Sequence, residues 1–156
     1  MNILTNLIEA HIVRIVDNII EYLLLKRSKD KLYPNIWQMV TGKPNKNEKA
    51  YQTAIREIKE ETNLALSKLF IVPHVNSFYN SFDDSINFVP VFLSLVNCDE
   101  NVIISAEHQD YKWVKREMAK KLLAWPGQSA AVNIIHDYLT KKKENLNFIE
   151  IDLDNN

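Results

Sequence analysis

The sequence predicts an α+β domain in which a mixed β-sheet is covered by helices. Two observations carry this. Runs rich in β-branched and aromatic residues mix with helical periodicity, but without the regular strand–helix–strand order of a doubly wound fold. No internal repeat and no linker divides the 156 residues, 46% of them hydrophobic, so residues 1–156 read as one domain with one core.

Ile8 to Val16 and Ile19 to Leu25 are β-branched runs. Asp17-Asn18 between them tolerates the positive φ of a two-residue hairpin turn. Lys26 to Asn35 is a charged loop ending in Pro34-Asn35, and Ile36 to Val40 is a short strand leading into Gly42. Ala50 to Thr62 has helical periodicity, with Ala50, Tyr51, Ala54, Ile55 and Ile58 on one face. Leu69 to Phe78 and Phe88 to Asn97 read as strands joined by a polar tip, Asn80 to Asn87, centred on Asp83-Asp84. Tyr111 to Val114 is a further strand. Lys115 to Leu123 and Ser129 to Leu139 read as helices parted by the breaker pair Pro126-Gly127. The tail from Lys141 is charged, then polar, and is expected to fray, with Lys141-Lys142-Lys143 a solvated helix end.

Nineteen basic residues against twenty acidic ones leave a net charge of -1, which gives no reason to expect a nucleic-acid polymer as partner. No apolar stretch approaches the roughly 20 residues that cross a bilayer. The N-terminus lacks a basic region followed by an apolar one, so no signal peptide and no membrane partner are expected. The single cysteine, Cys98, cannot pair internally, which suits a cytoplasmic protein, and its apolar run predicts a buried, inert thiol.

The helix carries a carboxylate cluster. Glu57 and Glu61 stack at i, i+4, and Glu60 lies one step around from both, all at the edge of the apolar stripe. Like charges so spaced repel by about 0.2–0.5 kcal/mol per pair even when exposed. Arg56, four residues before Glu60, can answer that carboxylate but is not expected to serve Glu57 and Glu61 as well. Hard divalent cations favour such oxygen ligands. On spacing alone, a solvated acidic face is the other reading.

Context favours the metal. Gly42, five residues, Glu48, seven residues, then Arg56-Glu57-Ile58-Lys59-Glu60-Glu61-Thr62-Asn63-Leu64 resembles the Nudix box, Gly-x5-Glu-x7-Arg-Glu-U-x-Glu-Glu-x-Gly-U, where U is aliphatic. Asn63 is the one departure within the box. It stands where glycine would end the helix in the left-handed conformation, a role asparagine fills next best. Ahead of the box, Val40-Thr41-Gly42 replaces the Pro-Gly-Gly of many members.

The resemblance implies a Nudix fold, an α/β/α sandwich with the box as loop–helix–loop, binding Mg²⁺ or alternatively Mn²⁺. It implies Glu57 and Glu61 as principal ligands, Glu60 as a third, direct or through water, and the Gly42 carbonyl facing the metal. Arg56 would orient the glutamates. Glu48 would tie down the loop or favour the helix dipole. Ala106 to Trp113, with Glu107-His108 and Tyr111-Lys112-Trp113, resembles the Glu-His-x-x-Tyr-x-Trp of the bacterial branch that includes dihydroneopterin triphosphate and dATP pyrophosphohydrolases. In that setting Glu107 is the candidate base or further ligand. Trp37 to Gly42, Asn87 to Phe92 and Ser129 to Leu139 extend the likeness over residues 7 to 140 or so.

The implied activity is metal-dependent hydrolysis of a diphosphate linkage in a nucleoside or pterin triphosphate. Alternatives are a dinucleoside polyphosphate or nucleoside diphosphate-sugar substrate, or a noncatalytic nucleotide-sensing module, in a monomer or homodimer. Trp37, Lys43, Phe78 and Tyr111 are the substrate-binding candidates. Tyr79, Phe82 and Phe88 could likewise stack on a ring or fill a core. Trp125 is assigned to packing, and His108 to the surface.

Overall fold

In the computed structural model, which describes residues 1–154, eight strands form one mixed sheet. The first strand, β1 (Asn2–Leu4), has no counterpart in the sequence reading; its three residues pair parallel with the start of β7. The hairpin β2 (Ile8–Val16) and β3 (Ile19–Arg27) turns on Asp17 and Asn18, at φ 48° and 64°. That is the geometry a right-twisted two-residue hairpin demands.

The expected single strand before Gly42 is two. β4 (Trp37–Gln38) pairs with β3, and β5 (Val40–Gly42) pairs with β2, so the chain changes partner at Met39. α1 (Ala50–Thr62) follows. β6 (Leu66–Asn80) and β7 (Ser85–Val96) make the long hairpin, its tip shorter than expected at residues 81–84. β7 runs parallel to β2, while β8 (His108–Val114) closes on β3.

Helices cover both faces. Ile8, Ala10 and Ile12 of β2 point to α1, where Ala54, Ile58 and Leu64 join them in one core. On the other face Val13, Tyr22, Leu24, Met39, Val91 and Leu93 meet α2 (Arg116–Leu122) and α3 (Pro126–Thr140). The Tyr22 hydroxyl donates to the Val132 carbonyl at 3.1 Å, so this buried phenol is satisfied. Pro126-Gly127 does not interrupt a helix but begins one. Proline at the first position loses no bond that a helix start would have made.

Packing overturns two expectations and relocates a third. Cys98 is exposed, because β7 ends at Val96 and residues 97–100 turn away from the core. Trp125 is 47% exposed, so its packing is not in the core but edge-on against Tyr33 at 5.6 Å, on the surface. The tail does not fray after Lys141. A 3-10 turn (Lys143–Asn145) and α4 (Leu146–Ile149) set Leu146 and Ile149 against the α3-side core, and Ile151 and Leu153 pack against the α1-side core.

Among the described residues seven non-glycine positions have positive φ: Asp17, Asn18, Tyr33, Asn35, Asn47, Asn63 and Asp84. Neither glycine does.

Candidate metal and active site

The box loop and α1 place the carboxylates. Lys49 caps the helix in extended conformation, its N–H donating to Gln52 Oε1 at 3.0 Å. At the other end Asn63 takes the left-handed conformation, φ 58° and ψ 10°, and its N–H donates to the Lys59 carbonyl. The helix therefore ends where a glycine would have ended it.

Arg56 is the hub. Its Nε and Nη2 reach the two oxygens of Glu48 at 2.8 and 2.9 Å, a two-pronged pair. Nη1 donates to Glu57 Oε1 at 2.7 Å and to Glu60 Oε2 at 3.2 Å, and Nη2 also donates to the Lys43 carbonyl at 3.0 Å. So Arg56 does serve Glu57, contrary to the spacing argument, because Nη1 lies between the carboxylates of its chain neighbour Glu57 and of Glu60 and donates to both. It does not reach Glu61. Glu48 also accepts from the Asn45 N–H at 2.8 Å and the Thr53 hydroxyl at 3.0 Å, tying the loop to the first turn. The Arg56 pair, first among these, pulls its carboxyl down to about 2.

Burial sorts the three glutamates of α1. Glu60 is exposed, Glu57 half-buried and Glu61 buried. Glu61 Oε2 has no hydrogen-bond partner. Loss of solvent, then the neighbouring charges of Glu107 and Glu57, push its carboxyl up to about 9, with Arg27 opposing. Burial raises Glu57 too, against Arg56. Gly42 lies under this cluster. A Cβ there would stand 2.3 Å from Glu57 Cγ and 2.7 Å from its Oε1.

Glu107 is exposed in the turn before β8, near enough for its charge to act on Glu61 and Glu57. Its carbonyl accepts the Ser28 N–H at 3.1 Å, and the Ser28 hydroxyl donates to the Ala106 carbonyl. The Ser105 N–H donates to the Glu61 carbonyl, so this loop is pinned both to α1 and to the end of β3. His108 is not a surface residue. It is buried beside Gln38 at 3.2 Å, and burial, then Arg27, holds it neutral down to about 4. Spacing could not have shown this pair, since 70 residues separate its members.

The aromatic candidates do not form one site. Trp37, half-buried, faces the α2/α3 side, with Lys112 Nζ 4.8 Å and Lys26 Nζ 5.8 Å from its ring centre. Tyr111 pairs across from Leu25, on the α1 side, so it cannot sandwich a ring with Trp37. Phe78 is exposed on β6, beyond β2 and β7, near the hairpin end that also exposes Tyr79, Phe82 and Phe88. The Lys43 side chain is exposed, and its carbonyl serves Arg56.

These donors can be tested for fit to a divalent cation. They are all oxygens, and the buried, unpartnered Glu61 carboxyl needs a positive neighbour before it can carry charge. Among the described residues no three acidic, histidine or cysteine side chains converge closely enough to hold an ion as they stand. Arg56 holds Glu57 Oε1 and Glu60 Oε2, so the donors fit a hard cation in kind while the guanidinium retains part of the set.

A family profile described as the NUDIX domain matches residues 7–137. The chain belongs to the Nudix hydrolase family. A curated Nudix relative, the asymmetrical bis(5'-nucleosyl)-tetraphosphatase of Caenorhabditis elegans, is 35% identical over 105 residues, covering 66% of this chain and 73% of that protein. Nucleoside triphosphatase NudI of Klebsiella pneumoniae is 27% identical over 114 residues, 68% of this chain and 81% of that one. A crystal structure of a C. elegans Ap4A hydrolase binary complex superposes with a TM-score of 0.75 at 27% identity, over 88% of this chain and 99% of that one. The Escherichia coli dihydroneopterin triphosphate pyrophosphohydrolase, at 23% identity and a TM-score of 0.66, shares the fold over 83% of this chain and 95% of its own. As a Nudix hydrolase the chain is an enzyme of the acid-anhydride class, and enzymes of this family generally use divalent metal ions. Among the described residues no helix is long and apolar enough to cross a membrane.

Proposed function

We propose that this protein is a Mg²⁺-dependent pyrophosphohydrolase, with Mn²⁺ as an alternative ion, that opens a phosphoanhydride bond in a nucleotide carrying three or more phosphates. The observation that carries the reading is Glu61, a buried carboxyl with Oε2 unpartnered, beside Glu57 in the last turns of α1. A pure binding module has no need of such a group at the edge of its core. Glu57 and Glu61, with Glu60 and the Gly42 carbonyl, would hold the cation. When bound, the ion neutralises charge on phosphate oxygens and makes water a stronger nucleophile. Arg56 and Glu48 would keep the carboxylate helix and its loop in register, and Glu107, whose charge acts on Glu61 and Glu57, would take a proton or add a donor. Trp37, with Lys26 and Lys112 beside its ring, offers a stacking face and positive charge for a nucleotide.

Two substrate classes follow. The nucleoside triphosphate reading draws support from the NudI likeness, and the dinucleoside tetraphosphate reading from the closer C. elegans identity. The test is a panel of both, with dihydroneopterin triphosphate and a nucleoside diphosphate-sugar, incubated with Mg²⁺ or Mn²⁺ and resolved by product. Turnover of at least one, abolished by Glu61→Gln, is expected. No release from any of them with either metal would refute the reading.

A further inference from the structure

The family match stops at residue 137, and Leu139, Leu146, Ile149, Ile151 and Leu153 beyond it pack on the two cores. After α4 it meets the outer edge of β6. Phe70 and Glu150 form an antiparallel bridge, the Ile151 N–H donates to the Leu69 carbonyl at 2.8 Å, and Glu150 pairs with Lys68 Nζ at 3.1 Å. The segment then crosses from the α3-side core to the α1-side core. Ile151 and Leu153 pack there, and Leu153 walls one cavity with Tyr51, Gln52, Ile55 and Lys59.

On a helix of 100° per residue, Tyr51, Ile55 and Lys59 form one flank of α1, and Glu57 with Glu61 lie on the other. Ala54 and Ile58, fully buried on the sheet, run between them. The sheet therefore fixes the depth of α1, while contacts on its flanks fix its roll about that line. The carboxylate flank is already tight, since Glu57 leaves no room for a Cβ on Gly42. Carboxylates sit about 6 Å from the helix axis, so a roll of roughly 10° moves them by about 1 Å. A displacement of that size at a reacting centre costs on the order of 10²-fold in rate.

We infer that residues 150–154 form a strap that sets the roll of α1, with Ile151 and Leu153 as positioning residues that act through the helix on Glu57 and Glu61. The inference rests on the hydrolase reading above. Three variants test it: a chain ended at Lys142, Leu153→Ser in the full chain, and Leu153→Met, which conserves volume. Each is assayed on a dinucleoside tetraphosphate and a nucleoside triphosphate with Mg²⁺, and the α1 amides are followed by hydrogen exchange without metal or nucleotide.

For the shortened chain and Leu153→Ser, kcat per folded molecule is expected to fall about ten-fold or more with KM unchanged. Their α1 amides should exchange faster than in the parent, and Leu153→Met should restore both. Parental kcat in a folded Leu153→Ser chain, or unchanged α1 exchange, overturns the strap. Should the shortened chain not fold, Leu153→Ser and Leu153→Met decide alone. A parent that turns over no nucleotide refutes the hydrolase reading instead, and hydrogen exchange still judges the strap's grip on α1.

Discussion

Glu57 Cγ lies 2.3 Å from where a Cβ on Gly42 would stand. The backbone of Gly42 lacks the positive φ that would itself demand glycine, so the requirement is for space. Gly42→Ala should displace Glu57 from its place between Arg56 and Glu61. We expect kcat to fall about 10²-fold. The cost in stability should be moderate, about 1–3 kcal/mol, as in other overpacked sites. Steady-state kinetics beside thermal melting checks this, and an alanine variant with parental turnover would show that Glu57 does not need its present position.

Glu61 is buried with one oxygen unpartnered and its carboxyl held near 9, so without a cation it is neutral at pH 7. Glutamine mimics that neutral form but cannot become an anion. Glu61→Gln is therefore expected to melt at or above the parental temperature without metal, and to lose turnover by orders of magnitude with it. The divergence matters, because a variant that lost both together would mark Glu61 as a packing residue.

Arg56 binds Glu48 through two nitrogens while Nη1 reaches Glu57 and Glu60. A lysine ammonium can replace the charge but not this fork. Arg56→Lys should loosen the loop from Lys43 to Lys49 and reduce kcat at least ten-fold, of order the loss of a fixed geometry. Limited proteolysis of that loop, compared with parent, is the structural check. An equally resistant loop would mean that Glu48 is held well enough by Asn45 and Thr53.

Glu9 is 8% exposed on the α3 face, where it accepts from Asn76 Nδ2 at 2.7 Å, and Asn76 in turn meets His74 at 2.9 Å. Burial, against the Asn76 bond, raises its carboxyl from 4.5 to about 7. A raised folded value means that this contribution to stability is complete below pH 4.5 and is lost as pH rises through about 7. Buried His11, held down to about 3, and His108, to about 4, act oppositely and lose stability as pH falls below their ordinary range. The parent alone thus mixes the two trends. Glu9→Gln keeps the Asn76 bond and removes one of them. Relative to the parent, it should gain on the order of 3 kcal/mol between pH 5 and pH 8 in urea unfolding. A constant difference across that range would mean that Glu9 titrates normally.

The parts legible in the sequence were those set by neighbours a few residues apart. Asp17-Asn18, the α1 stripe and the Asn63 cap each express a local preference, and each is where the spacing put it. The sheet-and-helix class followed from the same periodicities. Most of the failures are long-range. The apolar run ending at Cys98 does not reveal that β7 stops two residues earlier. His108 becomes a buried partner only when β4 and β8 flank β3. The polar-looking tail carries Leu146, Ile149, Ile151 and Leu153 at positions whose burial depends on where β6 runs. Within the candidate site, residue types and spacing marked out the carboxylates. The depth ordering of Glu60, Glu57 and Glu61, and the reach of Arg56 to Glu57, came only from packing.

The unusual division of labour among turn residues has a practical edge. Left-handed backbone is supplied here mainly by asparagine and aspartate, while Gly42 and Gly127 make room for Glu57 and Asn76. Replacing glycine by alanine ordinarily interrogates chirality, but in this chain it interrogates volume. Chirality must instead be interrogated through Asn18, Asn35, Asn47 and Asn63, where alanine would meet the penalty usually reserved for the loss of a glycine. A stability scan that sorted its results by residue name would exchange the two causes.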